Sequence, residues 1–292
     1  MTMNSKRTLL ITGGSGYLGR HLIVPAARLF TVYATYRTHG NEIKTGYPVQ
    51  LDLTDRAAVL NLISDLAPQA IIHTAAANPG AGQDMMAINA EGARYVAEGA
   101  VEVGARLIHV SSDVVHGGDR APYDDDVPPS PINEYGRSKA AAEAAVVEVA
   151  PGAAIVRTSL IYGLEEMDRG TESFVQHLAT GEPLVLFNDV IRQPVWVDTL
   201  VLALLKLANL DFAGTLNVAG RQTLTREEFG RRLLAWWQLD QIGELQSGRA
   251  ADVSPTIPLD LRLSVAWAER LLKMTFPGVD EVLAVVRKRK NK

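Results

Sequence analysis

The sequence contains no cysteine at all. That excludes disulfides, thiolate catalysis and thiolate-held metals, and it suits a reducing compartment. Strong charge of one sign is also missing. The 292 residues carry a formal net charge of −4, so no field favours nucleic acid or an anionic membrane surface. No uninterrupted apolar run is long enough to span a bilayer. The apolar start, Leu9-Leu10-Ile11-Thr12, is too short for the core of a signal peptide and is followed by no cleavage site. The cytoplasm is the expected location. There is no internal repeat, no low-complexity segment, and no His/Asp/Glu cluster with metal-ligand spacing, so no metal is expected. The one basic run, Arg287-Lys288-Arg289-Lys290, reads as a frayed, solvated tail.

What is present is a rhythm. Short β-rich runs alternate with helical patterns through the first half. Strands are expected near 9–12, 32–36, 49–51, 70–73, 107–110 and 154–157, with helices over 17–30, 55–66, 85–103 and 134–149. Continuous apolar strands separated by helices mean a parallel sheet covered on both faces. After Tyr162 the rhythm changes: helices near 173–180, 199–208, 226–237 and 264–273, strands near 184–187 and 215–218, and a Pro/Ser/Gly-rich loop over 248–259. Thr225 with Glu228 three residues on forms a capping box. The fold class expected is α/β, a Rossmann-type doubly wound parallel sheet over 1–162. A smaller mixed substrate domain is expected over 163–292, with some segments returning to the first domain.

Two local patterns carry chemistry. Gly13-Gly14-Ser15-Gly16-Tyr17-Leu18-Gly19 follows the first strand and opens the first helix. Glycines there allow a tight turn and close approach of backbone to a pyrophosphate, and the helix N-terminus adds N–H groups and a positive dipole end. The second strand ends in Thr35-Tyr36-Arg37, with no acid to hold a ribose 2′-hydroxyl. Arg37, with Arg20 in reach, matches a 2′-phosphate by charge and fork geometry. The reading is NADP, with NAD left open. Asp52 is placed to accept from the adenine amino group.

The second pattern is Tyr135-Gly136-Arg137-Ser138-Lys139 on a helix. Residues four apart share a helix face, and an ammonium one turn from a phenol lowers the phenol's pKa. Such a phenol exchanges a proton with a carbonyl oxygen. Ser112, in His109-Val110-Ser111-Ser112-Asp113 at the end of the fifth strand, is placed to polarise that oxygen.

Together with Ala75-Ala76-Ala77 and Asn89, these segments resemble the extended short-chain dehydrogenase/reductase superfamily. Pro131 to Lys139 and Arg157-Thr158-Ser159-Leu160-Ile161-Tyr162-Gly163 are similar to its dTDP-4-dehydrorhamnose reductase branch, as is Pro277 to Leu283. The resemblance implies Ser112, Tyr135 and Lys139 as the catalytic set. It also implies cofactor contacts at Gly13, Ser15, Gly16, Tyr17, Leu18, Gly19, Leu53, Ala75 and Ala76, with Tyr135 and Lys139 serving the cofactor too. Asn89 would be a structural asparagine, and Arg157 would lie near the nicotinamide. The implied activity is reduction of a carbonyl on a sugar or nucleotide-sugar by NADPH. A nucleotide-sugar epimerase with bound NAD and a non-catalytic NADP-binding regulatory subunit stay open as alternatives, and a homodimer is compatible with the family. Nucleotide-sugar dehydratases follow Ser/Thr-Asp with a glutamate; Val114 stands here, which argues against dehydration. His116 and Arg192 are further candidates for a substrate pocket, each with an equal structural alternative. Trp236-Trp237 reads as core.

Overall fold

In the computed structural model, residues 6–80, 82, 84–239 and 243–290 are described. The elements alternate from the start. They run β1 (Thr8–Thr12), α1 (Tyr17–Ala27), β2 (Thr31–Tyr36), β3 (Tyr47–Gln50), α2 (Arg56–Leu66), β4 (Ala70–His73), α3 (Gly92–Val103), β5 (Arg106–Ser112), α4 (Glu134–Val149) and β6 (Ala154–Thr158). There follow β7 (Ile161–Tyr162), α5 (Arg169–Leu178), β8 (Leu184–Phe187), β9 (Ile191–Arg192), β10 (Val195–Trp196), α6 (Val197–Leu207) and β11 (Gly214–Val218). The last elements are β12 (Leu224–Thr225), α7 (Arg226–Trp236), β13 (Leu245–Gly248), α8 (Ala266–Leu272) and α9 (Val279–Lys290).

A seven-stranded sheet has the order β11-β6-β5-β4-β1-β2-β3. The pairs β1–β2, β1–β4, β2–β3 and β4–β5 are parallel. The strand order reverses at β1, with β2 on one side and β4 on the other, which is where such sheets open a crevice at their carboxyl ends. Leu9, Leu10, Ile11, Ile71, Ile72 and Ile108 are wholly shielded from solvent. The strands are therefore covered on both faces, as their unbroken apolar runs require. Leu10, Ile71, Leu107 and Ile155 pack with Val59 and Ile63 of α2, Val96 and Ala100 of α3, and Ala142 and Val146 of α4.

Two compact units are distinguished. One comprises Met1–Ser112, Glu134–Val156 and Val201–Leu216; the other comprises Asp113–Asn133, Arg157–Leu200 and Asn217–Lys292. Residues 113–133 group with the second unit because Tyr123 packs with Ala219, Leu261 and Leu263. Residues 201–216 return to the first. A further core of the second unit joins Tyr162, Leu224, Phe229 and Leu233 to Val279, Val282 and Val286 of α9.

Three expectations are corrected. The helix expected over 85–103 begins as a wide turn, Met86–Glu91, wound i to i+5, before α3 takes over. The basic run 287–290 is not a frayed tail but the last turn of α9. Val282 and Val286 on that helix are buried, and Arg287 lies over the Trp236 ring at 5.9 Å. The loop expected over 248–259 begins on Gly248, the last residue of β13, a strand that pairs with β8. No helix among the described residues is long and apolar enough to cross a membrane.

The capping box at α7 is formed: Glu228 N donates to Thr225 Oγ1 at 3.0 Å, and Thr225 N donates to Glu228 Oε2 at 2.8 Å. Thr225→Ala removes the hydroxyl acceptor and is expected to lower unfolding stability by about 1 kcal/mol. A urea-denaturation midpoint unchanged from the parent protein would contradict that.

Candidate active site

The glycine segment leaves β1 in a conformation that few other residues tolerate. Gly13 has φ +74°, in the left-handed region. A Cβ there would lie 2.7 Å from the Cα of Ala75, and one at Gly19 would lie 2.2 Å from the carbonyl oxygen of Gly13. Both obstacles are backbone, so side chains are excluded and the turn stays bare. Gly16 caps α1 without any side-chain bond, which leaves the N-terminal end of that helix uncovered by a cap. A bare strand-to-helix turn beneath a helix N-terminus fits a pyrophosphate. Ala75, after β4, is the residue that lines the turn from below. Gly14 N donates to the Thr35 carbonyl at 2.7 Å, tying the loop to β2.

At the end of β2, Arg37 shares a recess of about 290 Å³ with Gln50, Leu51, Asp52, Asp55 and Ala58. Asp52 Oδ1 accepts from Thr54 N at 2.9 Å and from Thr54 Oγ1 at 2.8 Å. Those bonds, with the Arg37 charge, hold its carboxyl below the usual range. The Arg20 guanidinium donates to the Ser15 carbonyl at 2.7 Å, bracing the glycine loop. The Leu53 side chain is 7% exposed and belongs to the core.

Tyr135 and Lys139 stand one turn apart on α4, whose bounds match the expected 134–149. Lys139 is 2% exposed. Its Nζ donates to the Val110 carbonyl at 2.8 Å, which fastens α4 to β5 two residues before Ser112. Burial pushes the Lys139 ammonium down to about 8, and Glu143 works against that fall. On this seam the structure brings Lys139 to the strand that ends in Ser112, with Tyr135 a turn away.

Asn89 holds the back of the seam. Its Oδ1 accepts from Ala77 N at 2.7 Å. Its Nδ2 donates to the Ala77 carbonyl at 3.0 Å and to Ser138 Oγ at 2.9 Å. Ser138 Oγ in turn donates to the Tyr135 carbonyl at 2.8 Å. One side chain thus joins the Ala75-Ala76-Ala77 segment to the turn of α4 that carries Tyr135.

Sequence reasoning passed over three buried groups here. His73 and His109 are register partners on β4 and β5, with rings stacked 5.1 Å apart. Thr12, His73's partner on β1, is 2.6 Å from its Nδ1. Burial first and the Lys139 charge second push His73 down to about 3 and His109 well below its ordinary value, so both are neutral. Glu143, 5% exposed, accepts from Ser111 Oγ at 2.5 Å. The available signal was position: two strand ends in register, and a carboxylate four residues beyond Lys139.

The remaining candidates sit in the second unit. Arg192 is 3.2 Å from Asp113, and Ser159 Oγ donates to the same carboxylate oxygen at 2.7 Å. His116 is buried and stacked on Tyr123 at 3.9 Å, while Arg157 donates to the Val127 carbonyl at 2.7 Å. Trp236 Nε1 donates to the Leu164 carbonyl at 3.1 Å and its ring packs on the core, as a structural residue does.

A bare glycine turn after β1 and a Tyr-x-x-x-Lys helix fastened to β5 define an NAD(P)-dependent oxidoreductase of the extended short-chain dehydrogenase/reductase type. The profile described as RmlD substrate binding domain matches residues 7–258, and the chain belongs to that family. It is 34% identical over 230 residues to a dTDP-4-dehydrorhamnose reductase of Mycobacterium tuberculosis, covering 75% of this chain and 71% of that one. It is 35% identical over 179 residues to the methionine adenosyltransferase 2 subunit beta of Mus musculus, covering 58% of this chain and 51% of that one. A crystal structure of a dTDP-4-dehydrorhamnose reductase from Bacillus anthracis in complex with NADP superposes with a TM-score of 0.80. It has 27% identity and covers 96% of this chain and 98% of that one.

Asn89→Ala leaves the buried N–H and C=O of Ala77 without their partner and is expected to cost about 2–3 kcal/mol of unfolding stability. Equilibrium urea unfolding measures it; a loss under about 0.5 kcal/mol would remove Asn89 from this structural role.

Proposed function

We propose that the chain is an NADPH-dependent reductase that converts the keto group of a dTDP-linked 4-keto sugar to an alcohol, as the name of its Mycobacterium tuberculosis relative describes for dTDP-4-dehydrorhamnose. The observation that carries the reading is the seam: Lys139, a turn from Tyr135, bound to the carbonyl of Val110 two residues before Ser112. The glycine turn from Gly13 to Gly19, with Ser15, Gly16, Tyr17 and Leu18, would hold the pyrophosphate, and Ala75 and Ala76 would line it. Arg37 would take the 2′-phosphate, Asp52 the adenine amino group, and Leu53 would contribute backbone.

Bound there, NADPH supplies the hydride for the carbonyl carbon. Tyr135 gives its phenolic proton to the oxygen as negative charge develops, and Ser112 donates a hydrogen bond to the same oxygen. Lys139, charged at neutral pH, stabilises the resulting phenolate and donates to the nicotinamide ribose. The proposal includes the cytoplasm as the place of action, which suits a cysteine-free chain. It also includes a homodimer, to which Val101 on α3 and Val147 on α4, 56% and 52% exposed, offer apolar surface.

The likeness to methionine adenosyltransferase 2 subunit beta favours one second reading, a binding subunit without catalysis of its own. Tyr135→Phe separates the two. With NADPH and dTDP-4-dehydrorhamnose, kcat is expected to fall at least about 100-fold while NADPH affinity stays within about three-fold. A parent protein that leaves NADPH absorbance unchanged with this and other keto sugars would favour the binding subunit. Arg37→Ala is expected to raise the Kd for NADPH about ten-fold and leave that for NADH nearly unchanged, as read by cofactor fluorescence. Equal loss for both cofactors would remove Arg37 from the 2′-phosphate.

A further inference from the structure

Tyr135, Lys139 and Glu143 are spaced four apart along α4, so they form one stripe of that helix. The strand facing the stripe meets it with consecutive residues. Val110 accepts from Lys139 Nζ at 2.8 Å, and Ser111 Oγ donates to Glu143 Oε1 at 2.5 Å. The next residue of that strand is Ser112. Lys139 and Glu143 are 2% and 5% exposed, so neither is screened by bulk water.

A buried ammonium needs a compensating charge as well as a hydrogen bond, because a carbonyl dipole alone does not replace its hydration. Among the described residues, His73, His109 and Glu143 interact electrostatically with Lys139, and Tyr135 stands one turn from it on α4. His73 on β4 and His109 on β5 are neutral, for the reasons given above, and they supply no negative charge. Tyr135 lies on the helix itself and is the group whose proton is exchanged. Glu143 is the acid whose field opposes the desolvation of Lys139.

We propose that Glu143 is a positioning residue for the reaction: it is the counter-charge that keeps the buried Lys139 an ammonium, and it is held in register with Ser112 through Ser111. The kinetic part rests on the reductase reading above. The structural part does not.

Two variants separate charge from geometry. Glu143→Gln keeps an oxygen that accepts from Ser111 and removes the charge. Ser111→Ala removes the hydrogen bond and keeps the charge. For NADPH-dependent reduction of dTDP-4-dehydrorhamnose, the parent kcat/KM is expected to fall as pH rises through about 8, where Lys139 loses its proton. In Glu143→Gln this limb moves down by about one pH unit, a loss of about five-fold at pH 8 with little change at pH 6. In Ser111→Ala the limb stays in place, and Glu143→Asp returns it most of the way to the parent position.

A second measurement needs neither substrate nor cofactor. With its folded-state pKa below its unfolded value, Lys139 is protonated in both states only at lower pH, and there its charge needs Glu143. The urea-midpoint gap between parent and Glu143→Gln is therefore expected at pH 6 and closes as pH rises through about 8. A Glu143→Gln limb that coincides with the parent's, or a midpoint gap independent of pH, overturns the proposal. Should the parent reduce no keto sugar, the reductase reading fails, and the unfolding experiment still decides the role of Glu143.

Discussion

A positive charge buried between a helix and a sheet must be met by oxygen, and at Lys139 that requirement organises its surroundings. The ammonium takes the Val110 carbonyl, so α4 is fixed along β5 at one register. Asn89 fixes the same helix from the other side through Ser138 and the backbone of Ala77. With helix and strand locked, the backbones of Tyr135, one turn before the lysine, and of Ser112, two residues beyond the carbonyl, are held in place.

The glycine turn and the seam are built on opposite principles. The turn works by exclusion: backbone atoms stand where a Cβ at Gly13 or Gly19 would be, so the surface there is peptide only. The seam works by compensation, with buried polar atoms brought together in pairs. Exclusion is local in sequence, which makes it easy to read from a strand, a glycine run and a helix. Compensation joins residues far apart in the chain, such as Asn89 to Ser138 and Ser111 to Glu143, and spacing alone does not reveal it.

That contrast accounts for what was legible. The strands of the first unit lie within two residues of where they are expected, and the limits of α4 and the capping box at Thr225 stand as read, because each follows from a pattern within a few residues. The helix expected over 85–103 is not one regular element: its first residues wind wide and α3 starts only at Gly92. The basic residues 287–290 look solvated as a cluster. Their backbone is helical because valines three and four residues apart, Val279, Val282 and Val286, are core residues. Arg20 was legible as a cation beside the glycine loop, but its partner, a carbonyl of that loop, was not. His73 and His109 are unremarkable in sequence and become a stacked pair only once β4 and β5 are aligned.

The interleaving of the two units has a consequence for synthesis on the ribosome. The first unit takes most of α6 and of β11 from residues 201–216, and the second opens with residues 113–133, emitted before α4. Neither can be completed in order of emergence. A nascent chain halted near residue 200 holds an open-edged sheet together with a stretch of the second unit that lacks Ala219, Leu261 and Leu263, the partners of Tyr123. Intermediates of translation therefore expose apolar surface from both units at once, and productive folding is largely deferred until α9 has left the exit tunnel.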